Sequence, residues 1–223
     1  MSSNHEDDLL NGERRKLTSK EIVVRKHDLA IRLHAVNSHR APDITLEQYT
    51  IPADLAAEIL FRACYEFADI EGKTIVDLGT GTGRLALGAS MLGGAYVVGV
   101  DLDPRALEVA AATCKRLGLK IEWVLADVET LRGTVDTVVM NPPFGTKRPH
   151  ADIEFLQAAL RIGRVVYSIH KSSTRKHLER WFREHAQIAK RIMTTHMEIP
   201  HQFSFHRKKR AYVDVDVFRI ARS

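Results

Sequence analysis

The chain has 223 residues, of which 44% are hydrophobic and 27% charged, as in an ordinary globular protein. At roughly 100 to 200 residues per domain, this length fits one domain with short extensions better than two. The composition excludes a disordered chain and a collagen-like repeat, and no run approaches the ~20 apolar residues of a membrane span. The N-terminus lacks the cationic start and apolar centre of a secretory signal, so we expect a cytoplasmic protein.

The net charge of +5 is distributed unevenly along the chain. Residues 171–210 contain eleven Lys and Arg against three Asp and Glu, so this stretch carries +8 and the remainder sums to −3. A solvated helix face would carry a more even mixture, whereas a local excess of one sign is typical of phosphate-binding surfaces. The charge pattern therefore favours contact with a nucleic acid.

Cysteine and histidine are placed in ways that suggest neither a disulfide framework nor a metal site. Cys64 and Cys114 stand far apart in the sequence, and we expect both to be buried thiols. The 11 histidines are scattered, and His201 and His206 lack the Cys or carboxylate partners that a zinc site would need. We therefore expect no metal ligands in this chain.

The first 70 residues predict a tail followed by two helices. Residues 1–18 are polar without an apolar period and predict a flexible tail. A capping box at residues 18–21 predicts a helix over 19–36, and Pro52 suits the first position of a second helix. We assign residues 19–70 to an N-terminal helical extension and residues 71–223 to a single domain.

From residue 73 onward, short apolar runs rich in β-branched residues alternate with helical segments. We predict strands at residues 74–78, 95–100, 121–125, 135–140 and 164–169, separated by helices at 84–92, 104–117, 151–162 and 172–185. This alternation predicts an α/β fold with a doubly wound, Rossmann-like parallel sheet. The last apolar stretches, 187–198 and 211–221, are joined without a helix and predict an antiparallel pair.

A glycine-rich turn, Val-Asp-Leu-Gly-Thr-Gly-Thr-Gly, follows the first predicted strand and opens a helix. Closely spaced glycines in this context allow a nucleotide-like ligand to approach the backbone. Shifted by two residues, the turn also satisfies the dinucleotide pattern G-x-G-x-x-A, so a nicotinamide or flavin enzyme remains an alternative here. A tight turn without a ligand is the simpler explanation, but alternate glycines lower stability unless something approaches them. The candidate cofactor residues in this turn are Asp77, Gly79, Gly81, Thr82, Gly83 and Arg84.

Two acidic residues follow neighbouring predicted strands. Asp101 ends the second strand, at the place for a carboxylate that accepts both ribose hydroxyls, although alone it could equally be a loop or cap residue. Asp127 comes just past the third strand. Together they predict an adenosine site, with the ribose on Asp101 and the adenine edge on Asp127 and the Val128 amide, and Leu102 beside them.

The tetrapeptide Asn141-Pro142-Pro143-Phe144 directly follows the fourth predicted strand. The combination of the glycine turn, the acidic end of the second strand and this tetrapeptide resembles class I S-adenosylmethionine-dependent methyltransferases that modify planar amino or amide nitrogens. A nicotinamide dehydrogenase has no use for the tetrapeptide. The resemblance implies S-adenosyl-L-methionine as the cofactor and the four residues as catalytic.

The chemistry of the tetrapeptide agrees with that resemblance. An exocyclic adenine amine is a poor nucleophile because its lone pair is delocalised into the ring. The side-chain oxygen of Asn141 and the carbonyl of Pro142 can each accept one N–H and so favour a pyramidal, more nucleophilic nitrogen. The prolines restrict the backbone and fix this aim, and Phe144 offers a ring on which a base can stack.

From about residue 22 onward the chain resembles the methyltransferase-like protein 5 family of archaea and eukaryotes, which are ribosomal RNA adenine-N6 methyltransferases. The matching segments are Leu46–Tyr49, Asn141–Lys147, Val166–Thr174 and Phe205–Lys209. The resemblance implies a seven-stranded class I sheet, to which the last two stretches add an antiparallel strand, and an adenine of small-subunit ribosomal RNA as substrate. Because an amine held in a base pair could be reached only by flipping, we expect that adenine to be unpaired. It also implies that Gln48, Tyr49, Thr50 and Ile51 lie over the methionine part of the cofactor, and whether Thr50 or Ile51 makes the contact is left open.

The same resemblance implies a small zinc-binding activator subunit that pairs with the edge of the sheet. We expect the strand at 121–125 to be that edge, with Trp123 or Val124 pointing outward. A short edge strand protected by Lys120 and Glu122 is the alternative.

An aromatic and then basic segment near the C-terminus is the candidate RNA contact, with rings for a splayed base and cations for phosphate. A core-packing turn between two strands is the alternative. The candidate RNA-binding residues are Lys147, Phe205, His206, Arg207, Lys208, Lys209 and Arg210.

Two other functions remain open at this stage. Related tetrapeptides also serve methylation of a protein glutamine amide at N5, a second planar nitrogen. A non-catalytic RNA-binding scaffold with a cofactor fold is the other alternative, and the intact Asn141–Phe144 segment argues against it.

Overall fold

The computed structural model describes residues 24–36, 50–144, 150–185, 188–199 and 211–221. The helices are α1 Lys26–His34, α2 Ala53–Tyr65, α3 Arg84–Met91, α4 Pro104–Arg116, α5 Ala151–Ile162 and α6 Arg175–His185. The strands are β1 Thr74–Leu78, β2 Tyr96–Asp101, β3 Glu122–Leu125, β4 Val135–Met140, β5 Gly163–Lys171, β6 Ile188–Ile199 and β7 Ala211–Ala221. Within these ranges, none of the helices has the length and apolar character needed to cross a membrane.

The seven strands form one sheet in the order β3-β2-β1-β4-β5-β7-β6. Neighbouring strands from β3 to β5 are parallel, and β7 runs antiparallel to both β5 and β6. The prediction of a doubly wound class I sheet with one antiparallel strand is confirmed. The order of connection reverses between β1 and β4, and ligands of such sheets bind at the carboxyl ends of the strands at this switch point.

Two hydrophobic clusters cover the two faces of the sheet because successive strand side chains point to opposite sides. The cluster on one face joins α1, α2 and α3 to the sheet and includes the fully buried Leu33, Leu60 and Leu87. The cluster on the other face lies under α5 and α6 and includes Leu156 and Phe182. Burying each such side chain stabilises the fold by about 1.5 to 3 kcal/mol. Because α1 and α2 contribute side chains to the same cluster as the strands, the N-terminal helices share the core of the sheet.

The observed elements differ from the predicted ones mainly at helix starts. Pro52 is the residue before α2 and not its first member. A short 3-10 turn at Ser172–Thr174 precedes α6, which begins at Arg175 and not at 172. α1 begins at Lys26, so residues 24 and 25 of the helix predicted over 19–36 are not helical. The predicted tail and capping box lie outside the described residues, and the division into residues 1–18, 19–70 and 71–223 stays a prediction.

The prediction that β3 forms an edge of the sheet is confirmed by its place at the end of the strand order. Of the two side chains considered as outward-pointing, Val124 is 37% exposed, whereas Trp123 is partly buried and packs against Gly83 and Gly99. Leu125 is 59% exposed. Val124 and Leu125 therefore form the exposed apolar surface of the edge, and the charged Lys120 and Glu122 beside them are exposed as well, so the alternative of a protected edge strand also stands.

Candidate active site

The carboxyl edge of the sheet brings together several of the residues that the sequence predicted for the site. Leu78, which precedes the glycine turn, is the register partner of Met140, which precedes Asn141. On the other side of β1, Asp101 ends β2, and Asp127 follows β3. In sheet order, a ligand extended along this edge would therefore meet Asp127, Asp101, the glycine turn and Asn141.

The buried carboxyl group of Asp77 holds the glycine turn. Its Oδ2 accepts a hydrogen bond from Thr80 Oγ1 at 2.6 Å and another from the backbone N–H of Ala86 at 2.9 Å. Burial raises the pKa of Asp77 to about 7, because its two hydrogen bonds offset only part of the desolvation and the charge of Asp101 adds to it. Asp77, which was predicted as a cofactor residue, thus fixes the shape of the turn through these two hydrogen bonds.

The three glycines of the turn meet different surroundings. A Cβ at Gly79 would lie 2.8 Å from the ring of Phe155, and one at Gly83 would lie 2.6 Å from the ring of Trp123. Gly81, with a φ of +54°, faces open space instead. Two of the glycines are therefore explained by rings that pack on the turn, and Gly81 marks the place where a ligand can approach the backbone.

Asp101 joins the turn to β2. Its Oδ2 accepts the backbone N–H of Gly81 at 2.7 Å, and its Oδ1 accepts that of Asp103 at 2.9 Å. Burial raises the pKa of Asp101, while these hydrogen bonds act in the opposite direction. Each carboxylate oxygen retains acceptor capacity for a hydroxyl group. Asp103, and not Asp101, caps α4, so the alternative of Asp101 as a helix cap is wrong.

Three further residues predicted for the adenosine site lie near Asp101. Leu102 is 52% exposed and presents an apolar side chain at the end of β2. Asp127 accepts the backbone N–H of Glu129 at 2.9 Å through Oδ1, and Val128 is buried. Together with the open face of Gly81 and the acceptors of Asp101, these residues fit the adenosine part of S-adenosylmethionine.

Asn141 and Pro143 are partly buried, and Pro142 is buried. The ring of Phe144 is only 9% exposed, and the Nζ of Lys171 lies 5.5 Å from its centroid. Sequence analysis missed Lys171 as a site residue, because the strand predicted at 164–169 ended before it and its contact with Phe144 depends on the order of the strands. Stacking of a base on Phe144 stays a prediction.

The remaining predicted residues are either directed elsewhere or lie outside the described chain. Arg84 donates to the carbonyls of Val36 and Ile51, and the buried Thr82 hydroxyl has no hydrogen-bond partner within the described ranges. Direct contact of either with the cofactor stays a prediction. The residues that lie outside the described ranges are Gln48, Tyr49, Lys147, Phe205, His206, Arg207, Lys208, Lys209 and Arg210.

The described part of the chain also bears on metal ligation. There, no three His, Cys, Asp or Glu side chains are grouped so that they could hold a metal ion. Both cysteines are buried thiols, as predicted.

Asp77 predicts a specific pH dependence of stability. Folding raises its pKa from 3.8 to about 7, because the fold favours the neutral carboxyl group. The stability that this group contributes is therefore fully present below about pH 3.8 and is lost as the pH rises through 7. Asp77→Asn keeps an oxygen acceptor for the turn but cannot ionise. Relative to the unchanged chain, we expect the free energy of unfolding of the variant to rise by roughly 1 to 3 kcal/mol between pH 5 and pH 8. Urea unfolding across this range measures the difference, and a constant difference would contradict the assignment.

Several known proteins are similar to this chain in sequence. The family described as "Methyltransferase domain" matches residues 75–166. The chain is 36% identical to the rRNA N(6)-adenosine-methyltransferase Mettl5 of Drosophila melanogaster over 84% of this chain and 92% of that protein. The rRNA N(6)-adenosine-methyltransferase METTL5 of Danio rerio is 35% identical over 84% of this chain and 94% of its own length.

A solved structure gives the same result for the fold. Protein PH1948 of Pyrococcus horikoshii superposes with a TM-score of 0.82 at 41% identity, covering 90% of this chain and 99% of that one. The shared sheet, the cofactor-binding edge and the identity over most of the chain lead to one conclusion. The chain belongs to the methyltransferase-like protein 5 family of class I S-adenosylmethionine-dependent methyltransferases.

Proposed function

We propose that this protein transfers a methyl group from S-adenosylmethionine to the exocyclic N6 of an unpaired adenine in small-subunit ribosomal RNA. The observation that carries the proposal is the position of Asn141 and Pro142, directly after β4 and beside the glycine turn. Two relatives that match most of the chain, from Drosophila melanogaster and Danio rerio, are rRNA N(6)-adenosine-methyltransferases by name, which supports RNA as the substrate.

The residues of this edge act mainly by orientation. S-adenosylmethionine supplies an electrophilic methyl group, so the task of the protein is to align the nitrogen with it. The side-chain oxygen of Asn141 and the carbonyl of Pro142 accept the two N–H groups of the amine and direct its lone pair. No strong general base is needed, because the methylated cationic amine is acidic enough to lose its proton to water.

The surroundings of the tetrapeptide favour a fixed geometry. Pro142 and Pro143 have restricted backbone angles and no N–H groups, so this stretch presents acceptors. Phe144 is anchored in the core, and Lys171 places a cation against its ring. An amine held in a base pair would be out of reach without flipping, which favours an unpaired adenine.

Transfer of labelled methyl groups tests the proposed function. We expect the protein, incubated with labelled S-adenosylmethionine and either total RNA or total protein, to label RNA as N6-methyladenosine. Asn141→Ala removes one acceptor and should lower the transfer rate by about 10²-fold or more while the cofactor Kd stays nearly unchanged. Label in protein glutamine, or no transfer even with an activator subunit present, contradicts the proposal. Retained turnover of Asn141→Ala would refute the acceptor role.

The basic segment near the C-terminus is the proposed RNA contact. Changing Arg207, Lys208, Lys209 and Arg210 to Gln should weaken RNA binding and reduce the slope of log K against log salt by about 1 to 3, because fewer phosphates are neutralised. Cofactor binding should be unchanged. The matched control changes four exposed cations elsewhere, namely Arg25, Arg32, Lys115 and Lys120. Equal salt slopes for the two variants would defeat this assignment.

We also propose that a small zinc-binding activator subunit pairs with β3. The support is the place of β3 at the sheet edge and the exposure of Val124 and Leu125. In co-expression pull-downs, Leu125→Lys should lose the subunit, whereas Ile188→Lys, at the 58% exposed position on the opposite edge strand, should retain it. A stable, fully active protein without any partner would overturn the proposal. A cytoplasmic location stays a prediction.

A further inference from the structure

Arg84 joins two distant parts of the chain through backbone carbonyls. It is the first residue of α3 and is only 8% exposed. Its Nη1 donates to the carbonyl of Ile51, just before α2, and its Nη2 donates to the carbonyl of Val36, just after α1, at 3.0 Å. The planar guanidinium can serve two separate acceptors at fixed angles, which a lysine ammonium at the same place does less well.

The charge of Arg84 has no carboxylate to balance it in the described part of the chain. Burial lowers the pKa of its guanidinium, and no acidic group offsets this effect. Desolvating a cation costs free energy, and an apolar side chain of similar volume would fill the space without that cost. The two carbonyl contacts therefore indicate that the role of Arg84 is to fix the positions of Ile51 and Val36.

Contacts on both sides of Arg84 hold the backbone from which its side chain extends. It directly follows Gly83, the glycine on which Trp123 packs, and Asp77 accepts the backbone N–H of Ala86 two residues later. The side chain of Ile51 is 4% exposed and lies in the core cluster, whereas Thr50 is only partly buried. Of these two neighbours, Thr50 is thus the more exposed one.

The order of the site residues indicates what Thr50 would face. The proposed cofactor placement puts the adenine at Asp127, the ribose at Asp101 and the reactive methyl at Asn141, on β3, β2 and β4 respectively. The strand between β2 and β4 is β1, so the methionine part falls to the turn that follows β1, where Arg84 begins α3.

We propose that Arg84 is a positioning residue that holds Thr50 and Ile51 against the glycine turn and thereby sets the affinity for the methionine part of S-adenosylmethionine. Arg84 acts through the carbonyl of Ile51, and the adenosine half of the cofactor does not depend on it. This inference rests on the proposed placement of the cofactor and not on the identity of the methyl acceptor.

Two ligands separate this role from a general structural one. S-adenosylmethionine contains the methionine part, and 5′-methylthioadenosine lacks its amino-acid end. We expect Arg84→Met, in the full chain, to raise the Kd for S-adenosylmethionine by about tenfold or more, while the Kd for 5′-methylthioadenosine changes by less than about twofold. Isothermal titration calorimetry on both ligands provides the comparison without any methyl acceptor, so failure here is distinct from failure of RNA methylation.

Arg116 offers the matched control. Its exposed side chain donates to the carbonyl of Ala35 at 2.8 Å, one residue from Val36, but does not reach Ile51. Arg116→Met should leave both dissociation constants unchanged. If Arg84→Met does not fold, Arg84→Lys, which keeps the charge but not the fork, decides by the same comparison. Equal weakening of both ligands, or weakening of neither, overturns the proposal.

Discussion

The hydrogen bonds to one buried carboxyl oxygen, Oδ2 of Asp77, determine the shape of the glycine turn, and the rest of the candidate site is built around that turn. Asp77 Oδ2 accepts from Thr80 at the start of the glycine turn and from Ala86 at the start of α3, so it closes the turn at both ends. Asp101 then reaches the turn through the N–H of Gly81, and Arg84 reaches out of it to Ile51. The hydrogen bonds of Gly81 and Arg84 keep this geometry only while the turn keeps its shape.

Two aromatic rings clamp the same turn from opposite faces of the sheet. Phe155 approaches Gly79 from α5, and Trp123 lies over Gly83 and also over Gly99 in the middle of β2. A side chain at any of these glycines would meet a ring, so the rings and not only a ligand demand glycine there. Because Trp123 belongs to the edge strand, a chain that paired with β3 would lie beside the residue that packs on the glycine turn.

The sequence predicted the strands, and the placing of Asp77, Asp101 and Asn141 at one edge of the sheet, because both depend on local patterns. β1 and β4 have the predicted bounds, since each is a short β-branched run ended by turn residues. The direction of Arg84, the face of Trp123 and the approach of Lys171 to Phe144 could not be predicted. They follow from the strand order and from helices packed across long sequence separations, and a four-residue edge strand carries too short an alternation to fix its faces.

The basic stretch that first suggested RNA contains cations with two different tasks. Arg175 makes two hydrogen bonds, of 2.6 and 2.7 Å, with the fully buried carboxylate of Asp216, so its charge is paired although its side chain is 34% exposed. Lys171 lies against the ring of Phe144, at the end of β5 and beside the proposed methyl-transfer site. Charge counted along the sequence therefore overstates what is available to phosphate at the start of this stretch. The argument for RNA contact accordingly rests more heavily on its end, at residues 207–210, where four consecutive residues are basic.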